Sequence, residues 1–422
     1  MKRRCSMDSS IPRPTRRRFL QTSAAGVAAA TLVPRRVVAG AAEVPPSETL
    51  LGALVGCGGR GPGTVRGLGP DVRIVACCDA DRGRAGRVAQ RYMGDVQVET
   101  DFRRVIERPD IDVVAIATHP GWHALVSIAA MEAGKDVLCE KPMTRFIAEG
   151  RAVVEAERRY GRIFQIGTYG RFGASRDPRR VLVHKIMASG LLKECKAVHI
   201  KRGGLKVAQW SGQVRYDVEP VPQGLDWDMY CGPAPLRPYH RHRFGGTHRG
   251  YWDYEGGGLA DMAQHHFDPV NWTYAKDHTS PVRVEAFAPP AHPEACGMWG
   301  WVEMQFADGL TFVMDSGEWG PPYDRRSARE VSLSDLGEED QKKIQEMPDP
   351  EPLVSFSEAV KTRRQPGGHA EAAHRTATLL HLANIAIRTG RVIRYDPVKE
   401  EIVGDEEANR LVCQPLRAPW RL

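Results

Sequence analysis

Three short runs in this 422-residue chain carry side chains able to move protons or stabilise charge. The first is Glu140-Lys141-Pro142, directly after the apolar run Asp136 to Cys139. If that run is a parallel strand, the motif sits where open α/β sheets bind their ligands. A lysine there can direct its ammonium at a substrate hydroxyl and stabilise the alkoxide that forms as hydride is lost, and Pro142 keeps the residues before it extended. By spacing alone, Glu-Lys also describes a surface ion pair. The second run is Gly256-Gly257-Gly258-Leu259-Ala260-Asp261-Met262-Ala263-Gln264-His265-His266-Phe267-Asp268. Its glycines free the backbone for a tight helix start, and Asp261 and His265 are then i,i+4 neighbours on one face. A carboxylate beside an imidazole fixes its tautomer and supports its protonated form, as a general base requires. The plainer alternative is that Asp261 caps the helix and His265 is an ordinary polar residue. His266 is the next candidate base. With His240 and His242 these histidines do not make a metal site, because adjacent histidines on a helix point apart, and no Cys-x-x-Cys pair is present.

The third run is Gly56-Cys57-Gly58-Gly59-Arg60-Gly61, a G-x-G-x-x-G fingerprint that follows the apolar run Leu50 to Val55. Alone it is weak. In context it precedes a helix-compatible stretch, and Asp79 lies about 20 residues on, at the end of the next apolar run. Glycines let the backbone approach a pyrophosphate at a helix N-terminus. An acid at Asp79 accepts from the adenosine ribose and repels a 2′-phosphate, so NAD is expected ahead of NADP, with Arg82 and Arg84 close enough to blur the preference.

Positioning these groups requires a layered scaffold. Leu50 to Val55, Val72 to Cys78, Asp112 to Ala117, Asp136 to Cys139 and Ile163 to Gly167 read as buried strands; His123 to Ala133 and Ile147 to Tyr160 read as helices between them. That alternation predicts a doubly wound parallel sheet. After Arg171 the texture changes. Pro, Gly, Trp and Tyr crowd Gly203 to Tyr254, as in long loops covering a site. Val282 to Ala288, Met298 to Phe306 and Thr311 to Asp315 alternate like antiparallel strands, the last two joined by the hairpin signal Asp308-Gly309. Arg325 to Pro350 reads as a charged surface excursion, and Glu371 to Arg388 as a helix closed by Gly390. The expected fold is α/β: an N-terminal Rossmann domain (42–170) and a C-terminal α/β domain (171–422) with an open, mostly antiparallel sheet.

Residues 1–41 read as a twin-arginine signal peptide. Arg16-Arg17-Arg18-Phe19-Leu20 precedes a short, weakly apolar stretch, and Ala39-Gly40-Ala41 offers an A-x-A cleavage site. The stretch is too short to span a bilayer, which takes roughly 20 apolar residues, and no membrane anchor is expected. The formal charge of +7 belongs to this segment, where nine Lys and Arg face one Asp; the remainder is near neutral, with no footprint for nucleic acid. The nine cysteines fit buried thiols of a chain folded in a reducing compartment.

Taken together, the fingerprint, Glu140-Lys141-Pro142, Gly257-Gly258 through Asp261-x-x-x-His265, Gly224-Leu225-Asp226-Trp227-Asp228 with Gly232-Pro233, and Asp405-Glu406-Glu407-Ala408-Asn409-Arg410 resemble the glucose–fructose oxidoreductase/inositol dehydrogenase (Gfo/Idh/MocA) family, in its exported twin-arginine branch. The resemblance implies hydride transfer between nicotinamide and a ring hydroxyl of a sugar, glycoside or cyclitol. It implies Lys141, Asp261 and His265 as the catalytic group. For the cofactor it implies Gly56, Gly58, Gly59, Arg60, Gly61, Asp79, Thr118, His123, Glu140 and Lys141; for substrate, Gln165, Tyr169, Arg171, Trp227 and His266. Thr118-His119-Pro120 departs from the family's usual Thr-Pro. The partners implied are a small carbohydrate or cyclitol, the twin-arginine translocase and further copies of the chain, as a dimer or tetramer. Exported folded to the periplasm, such a protein must take tightly bound NAD with it. Rival readings are a redox-neutral NAD-dependent glycoside hydrolase, working by oxidation and elimination, and a carbohydrate-binding module without turnover.

Overall fold

The computed structural model describes residues 49–92 and 94–422; the twin-arginine segment lies outside them. The run Leu50–Val55 forms β1, followed in one sheet by β2 (Val72–Cys78), β3 (Gln97–Glu99), β4 (Val113–Ile116), β5 (Asp136–Cys139) and β6 (Phe164–Ile166). The spatial order is β3-β2-β1-β4-β5-β6, with every pairing parallel. Every residue of β4, β5 and β6 is buried, as expected when helices cover both faces. Those helices include α1 (Gly61–Val65), α2 (Arg82–Ala89), α3 (His123–Glu132) and α4 (Ile147–Tyr160). Asp81 caps α2 by accepting from the Arg84 N–H, and α4 stops at Gly161 with φ 61°. The chain leaves β1 toward β2 and later returns on the other side at β4. A crevice therefore opens at the C-terminal ends of β1 and β4, the switch point of such sheets. Strand β3, a polar edge of three residues, gave no apolar signal in the sequence.

Beyond the first sheet the chain forms the short helices α5 (Gly170–Ala174) and α6 (Trp227–Cys231), the long helix α7 (Gly257–Thr273) and a second sheet. Its strands are β7 (Val198–Arg202), β8 (Arg283–Phe287), β9 (Trp301–Gln305), β10 (Thr311–Asp315), β11 (Ile393–Asp396) and β12 (Glu401–Ile402), in the order β12-β11-β8-β9-β10-β7. All neighbours are antiparallel except β7 and β10. The β9–β10 hairpin turns at Gly309, whose φ of 96° suits glycine. Alternate residues Val284, Val302, Met304, Phe312 and Met314 bury one face against Phe267 of α7 and Leu379, Leu380 and Leu382 of α8 (Ala370–Thr389). Each fully buried side chain of this kind stabilises by about 1.5–3 kcal/mol. Helix α8 is closed by Gly390 with φ 65°.

The run 325–350 is more than a surface excursion. Arg329 pairs with Val198 along the edge of β7, a helix spans Glu338–Glu346, and Val331, Leu336 and Ile344 enter the core. Its charges stay outside while every few residues an apolar side chain anchors it, so composition alone did not show the docking. The eight described cysteines are free, all but Cys413 buried, and no described helix is long and apolar enough to cross a membrane.

Candidate active site

A cleft of about 820 Å³ lies at the switch point. Gly56, Gly58, Gly59, Arg60, Asp79, Thr118, Glu140, Lys141, Asp261 and His265 all line it. Each glycine of the fingerprint has its own reason. Gly56 adopts φ 95°, a Cβ on Gly61 would approach the Gly56 carbonyl oxygen to 2.4 Å, and Gly59 faces open space. These are the tight turn, the close packing of the α1 start and the bare backbone that a pyrophosphate needs. The Asp79 carboxylate accepts from the Cys57 and Asp81 N–H groups at 2.8 and 2.9 Å, with Arg84 at 3.9 Å. Burial pushes its pKa up, against the pull of Arg84. The residues present fit a dinucleotide.

Glu140, at the end of β5, accepts from Arg60 Nε at 2.7 Å and Thr64 Oγ1 at 2.9 Å, which ties the β5 end to the glycine turn. Lys141 points across the cleft to α7, where its Nζ donates to Asp261 Oδ1 at 2.5 Å and to the Asp261 carbonyl at 2.9 Å. Arg249 Nε lies 2.7 Å from the same carboxylate. Burial opposes ionisation of Asp261, but the charges of Lys141 and Arg249 outweigh it and hold its pKa below the ordinary aspartate value. His265 opens into the cleft. Crowding by the cleft walls, then the Lys141 charge, lower its pKa below 6.5, so the imidazole is neutral near pH 7. Among the described residues no hydrogen bond joins Asp261 to His265. The sequence expectation that Asp261 orients that ring is corrected: two cations outcompete a neutral imidazole for the carboxylate.

Other expectations are also corrected. Arg171 is buried on α5, paired with Asp268 Oδ1 at 2.8 Å and Asp277 Oδ2 at 2.7 Å, and cannot reach substrate. Trp227 stacks on Tyr230 at 5.1 Å, and its Nε1 donates to the Arg237 carbonyl, so its faces are spent inside an aromatic cluster. His266 turns away from His265 and meets His199 of β7, nitrogen to nitrogen, at 2.8 Å. Gln165 is buried in β6 against Gly368; Tyr169, by contrast, is exposed, lies over Gly67 and feels the charges of Glu140 and Arg60 in the cleft lining, so it stays a candidate. His123 is buried behind the wall, its ring nitrogens 2.8 Å from the Pro142 carbonyl and 3.1 Å from that of Thr118. It braces the two loops and does not line the cleft.

Sequence reasoning missed Arg249 and His248, which line the cleft from a 3-10 helix (Gly245–Gly250), and Glu255 just after it. His248 Nε2 lies 3.0 Å from Glu255 Oε2. No spacing rule picks out such residues; only the Gly- and aromatic-rich texture of that stretch announced a covering loop.

Two family models match. Residues 51–168 match the oxidoreductase family's NAD-binding Rossmann fold, and residues 179–422 match the oxidoreductase family's C-terminal alpha/beta domain. The chain belongs to the Gfo/Idh/MocA oxidoreductase family. Inositol 2-dehydrogenase of Salmonella typhimurium is 34% identical over 155 residues, covering 36% of this chain and 45% of the relative. Inositol 2-dehydrogenase 4 of Saccharopolyspora erythraea is 39% identical over 127 residues, 30% of this chain and 36% of the relative. The chain thus matches less than half the length of these curated relatives. Among solved structures, the WlbA dehydrogenase from Bordetella pertussis in complex with NADH and UDP-GlcNAcA aligns with TM-score 0.53 at 16% identity, over 82% of this chain and 99% of that one. An oxidoreductase domain protein from Kribbella flavida aligns with TM-score 0.51 at 18% identity, over 82% and 99%. At such identities the likeness is one of fold.

Proposed function

We propose that this Gfo/Idh/MocA member is a dehydrogenase that oxidises or reduces a ring hydroxyl of a sugar, glycoside or cyclitol with tightly held NAD, outside the cytoplasm after folded export. The observation that carries the reading is the convergence of Lys141, Asp261 and His265 with Asp79 and the glycine turn in one cleft. When bound, the nicotinamide supplies the two-electron chemistry. The residues do the rest. Neutral His265 takes the proton of the reacting hydroxyl. The Lys141 ammonium donates to the same oxygen as negative charge builds on it. Asp261, anchored by Arg249, holds Lys141 in place. Asp79 favours NAD by repelling a 2′-phosphate, with Arg84 moderating the effect. The inositol 2-dehydrogenase relatives make myo-inositol the first substrate to try, then a panel of aldoses and glycosides, following absorbance of the bound cofactor. A protein that purifies without nicotinamide and binds none when it is added would sink the reading.

His248, paired with Glu255, favours a second reading. A redox-neutral cycle that eliminates a glycosidic group needs a further acid–base pair in the cleft, and this is one. Release of nitrophenol from a nitrophenyl glycoside, with no net change in cofactor absorbance, would select it.

A further inference from the structure

The segment Gly224 to Gly232 lines the cleft with Met229 and Tyr230 and is fastened on both sides. On the β2 side, Asp226 N–H donates to the Ala80 carbonyl at 2.9 Å, Arg82 N–H donates to the Gly224 carbonyl at 3.1 Å, and Leu225 sits opposite Asp81 as in an antiparallel bridge. On the β4 side, Trp122 Nε1 donates to the Met229 carbonyl at 3.1 Å, and His119 Nε2 donates to the Tyr230 carbonyl at 2.7 Å. In the sheet, β2 and β4 flank β1. The segment thus bridges the loops on either side of β1, and its Met229 and Tyr230 share the cleft lining with Gly56, Gly58 and Gly59 of the glycine turn. The roof is also held from behind. Arg417 Nε donates to the Gly232 carbonyl at 2.9 Å, and its Nη1 to Asp228 Oδ2 at 2.7 Å. Trp420 packs edge-on against Trp122 with ring centroids 4.6 Å apart.

We propose that Gly224–Gly232 is a built-in roof over the dinucleotide cleft, and that this roof, in addition to the contacts of the Rossmann fold, prevents NAD from leaving on dilution. The inference rests on the nicotinamide reading above and adds the device that retains the cofactor. The backbone bonds tie two loops that carry cofactor-facing residues, so a dinucleotide can leave only after one side of the roof lets go. Release is then limited by opening of the roof, and affinity is set mainly through the off-rate.

The test loads the full-length protein with NADH and follows loss of its fluorescence after a chase with excess ADP-ribose. Arg417 is outside the cleft lining, so Arg417→Ala loosens the roof without touching the cofactor. Release should be slow in the wild type and faster by about tenfold or more in Arg417→Ala, equivalent to about 1.4 kcal/mol. A second protein, Asp81→Cys with Leu225→Cys, locks the roof through a disulfide. Oxidation should slow release further and dithiothreitol should restore it, a reversal that simple destabilisation cannot produce. Wild-type release complete within seconds, or equal release from oxidised and reduced double variant, overturns the proposal, and the crosslinked protein decides if the two variants disagree. A wild type that binds no NADH overturns the nicotinamide reading itself.

Discussion

Asp261 departs furthest from what its spacing implies. Four residues before His265 on α7, it shares a face with that ring, yet its carboxylate serves Lys141, just after β5, and Arg249, from a 3-10 helix. Helical spacing says which residues can touch; charges arriving from other elements decide which do. The candidate catalytic residues were legible because each sits in a motif whose backbone geometry is local. Arg249 was not, because only the tertiary fold brings it there. His265→Ala and Lys141→Ala should each lower kcat by at least about a hundredfold while NADH still binds, as single-turnover and fluorescence measurements would show. The imidazole must be neutral to take a proton, and its pKa is lowered below 6.5 by crowding and by Lys141. The acid limb of the kcat/KM profile for oxidation should therefore fall below pH 6.5, with the plateau above it, and should vanish in His265→Ala. A limb centred well above pH 6.5 would remove His265 from the role of base.

Elements that bury a continuous apolar run or a clean alternation were readable within a residue or two: β1, β2, β5, β10 and α4 match their sequence ranges. What each element does with its polar residues was not readable. Arg171 follows the last strand of the first sheet, where a substrate ligand is plausible, but α5 packs on α7 and the guanidinium meets Asp268 and Asp277 in the interior. Trp227 and His266 failed for the same reason, since burial depends on a neighbour far away in sequence. Arg171 thereby gains a structural prediction. Arg171→Ala leaves Asp268, itself fully buried, without its cation, and removing one partner of a buried pair costs about 3–5 kcal/mol. Denaturant unfolding should register a loss of that size. A substrate KM raised in a variant of unchanged stability would instead return Arg171 to the substrate site.

At the scale of the whole molecule, one ion cluster joins α4 of the first sheet to α8 and the turn before β12. Arg151 binds Glu371 at 2.7 Å and Glu400 at 2.6 Å, and His374 lies 2.8 Å from Glu400. Burial opposes both carboxylates. Hydrogen bonds and charge from Arg151, the Arg375 charge at Glu371 and a hydrogen bond from His374 at Glu400 pull each pKa down from 4.5 to about 2. Depressed carboxylate pKa values stabilise the fold above pH 4.5, and that contribution is lost as pH falls toward 2. His374, kept neutral by burial, acts in the same direction, because unfolding lets it protonate. Urea unfolding across the acid range should show this decline, and Arg151→Ala should flatten it. The last expectation concerns the molecule's journey. A chain that folds around a dinucleotide made in the cytoplasm, yet works outside it, needs a route that carries folded proteins. We propose that Arg16-Arg17 ahead of the weakly apolar stretch is the signal for that route. Arg16→Lys with Arg17→Lys should leave the precursor in the cytoplasm, folded and loaded with cofactor, while the wild type reaches the periplasm with its cofactor still bound. Fractionation, immunoblotting and cofactor fluorescence of each fraction check both halves. Export of the double variant at the normal rate would remove the twin-arginine reading and, with it, the reason for a roofed cofactor site.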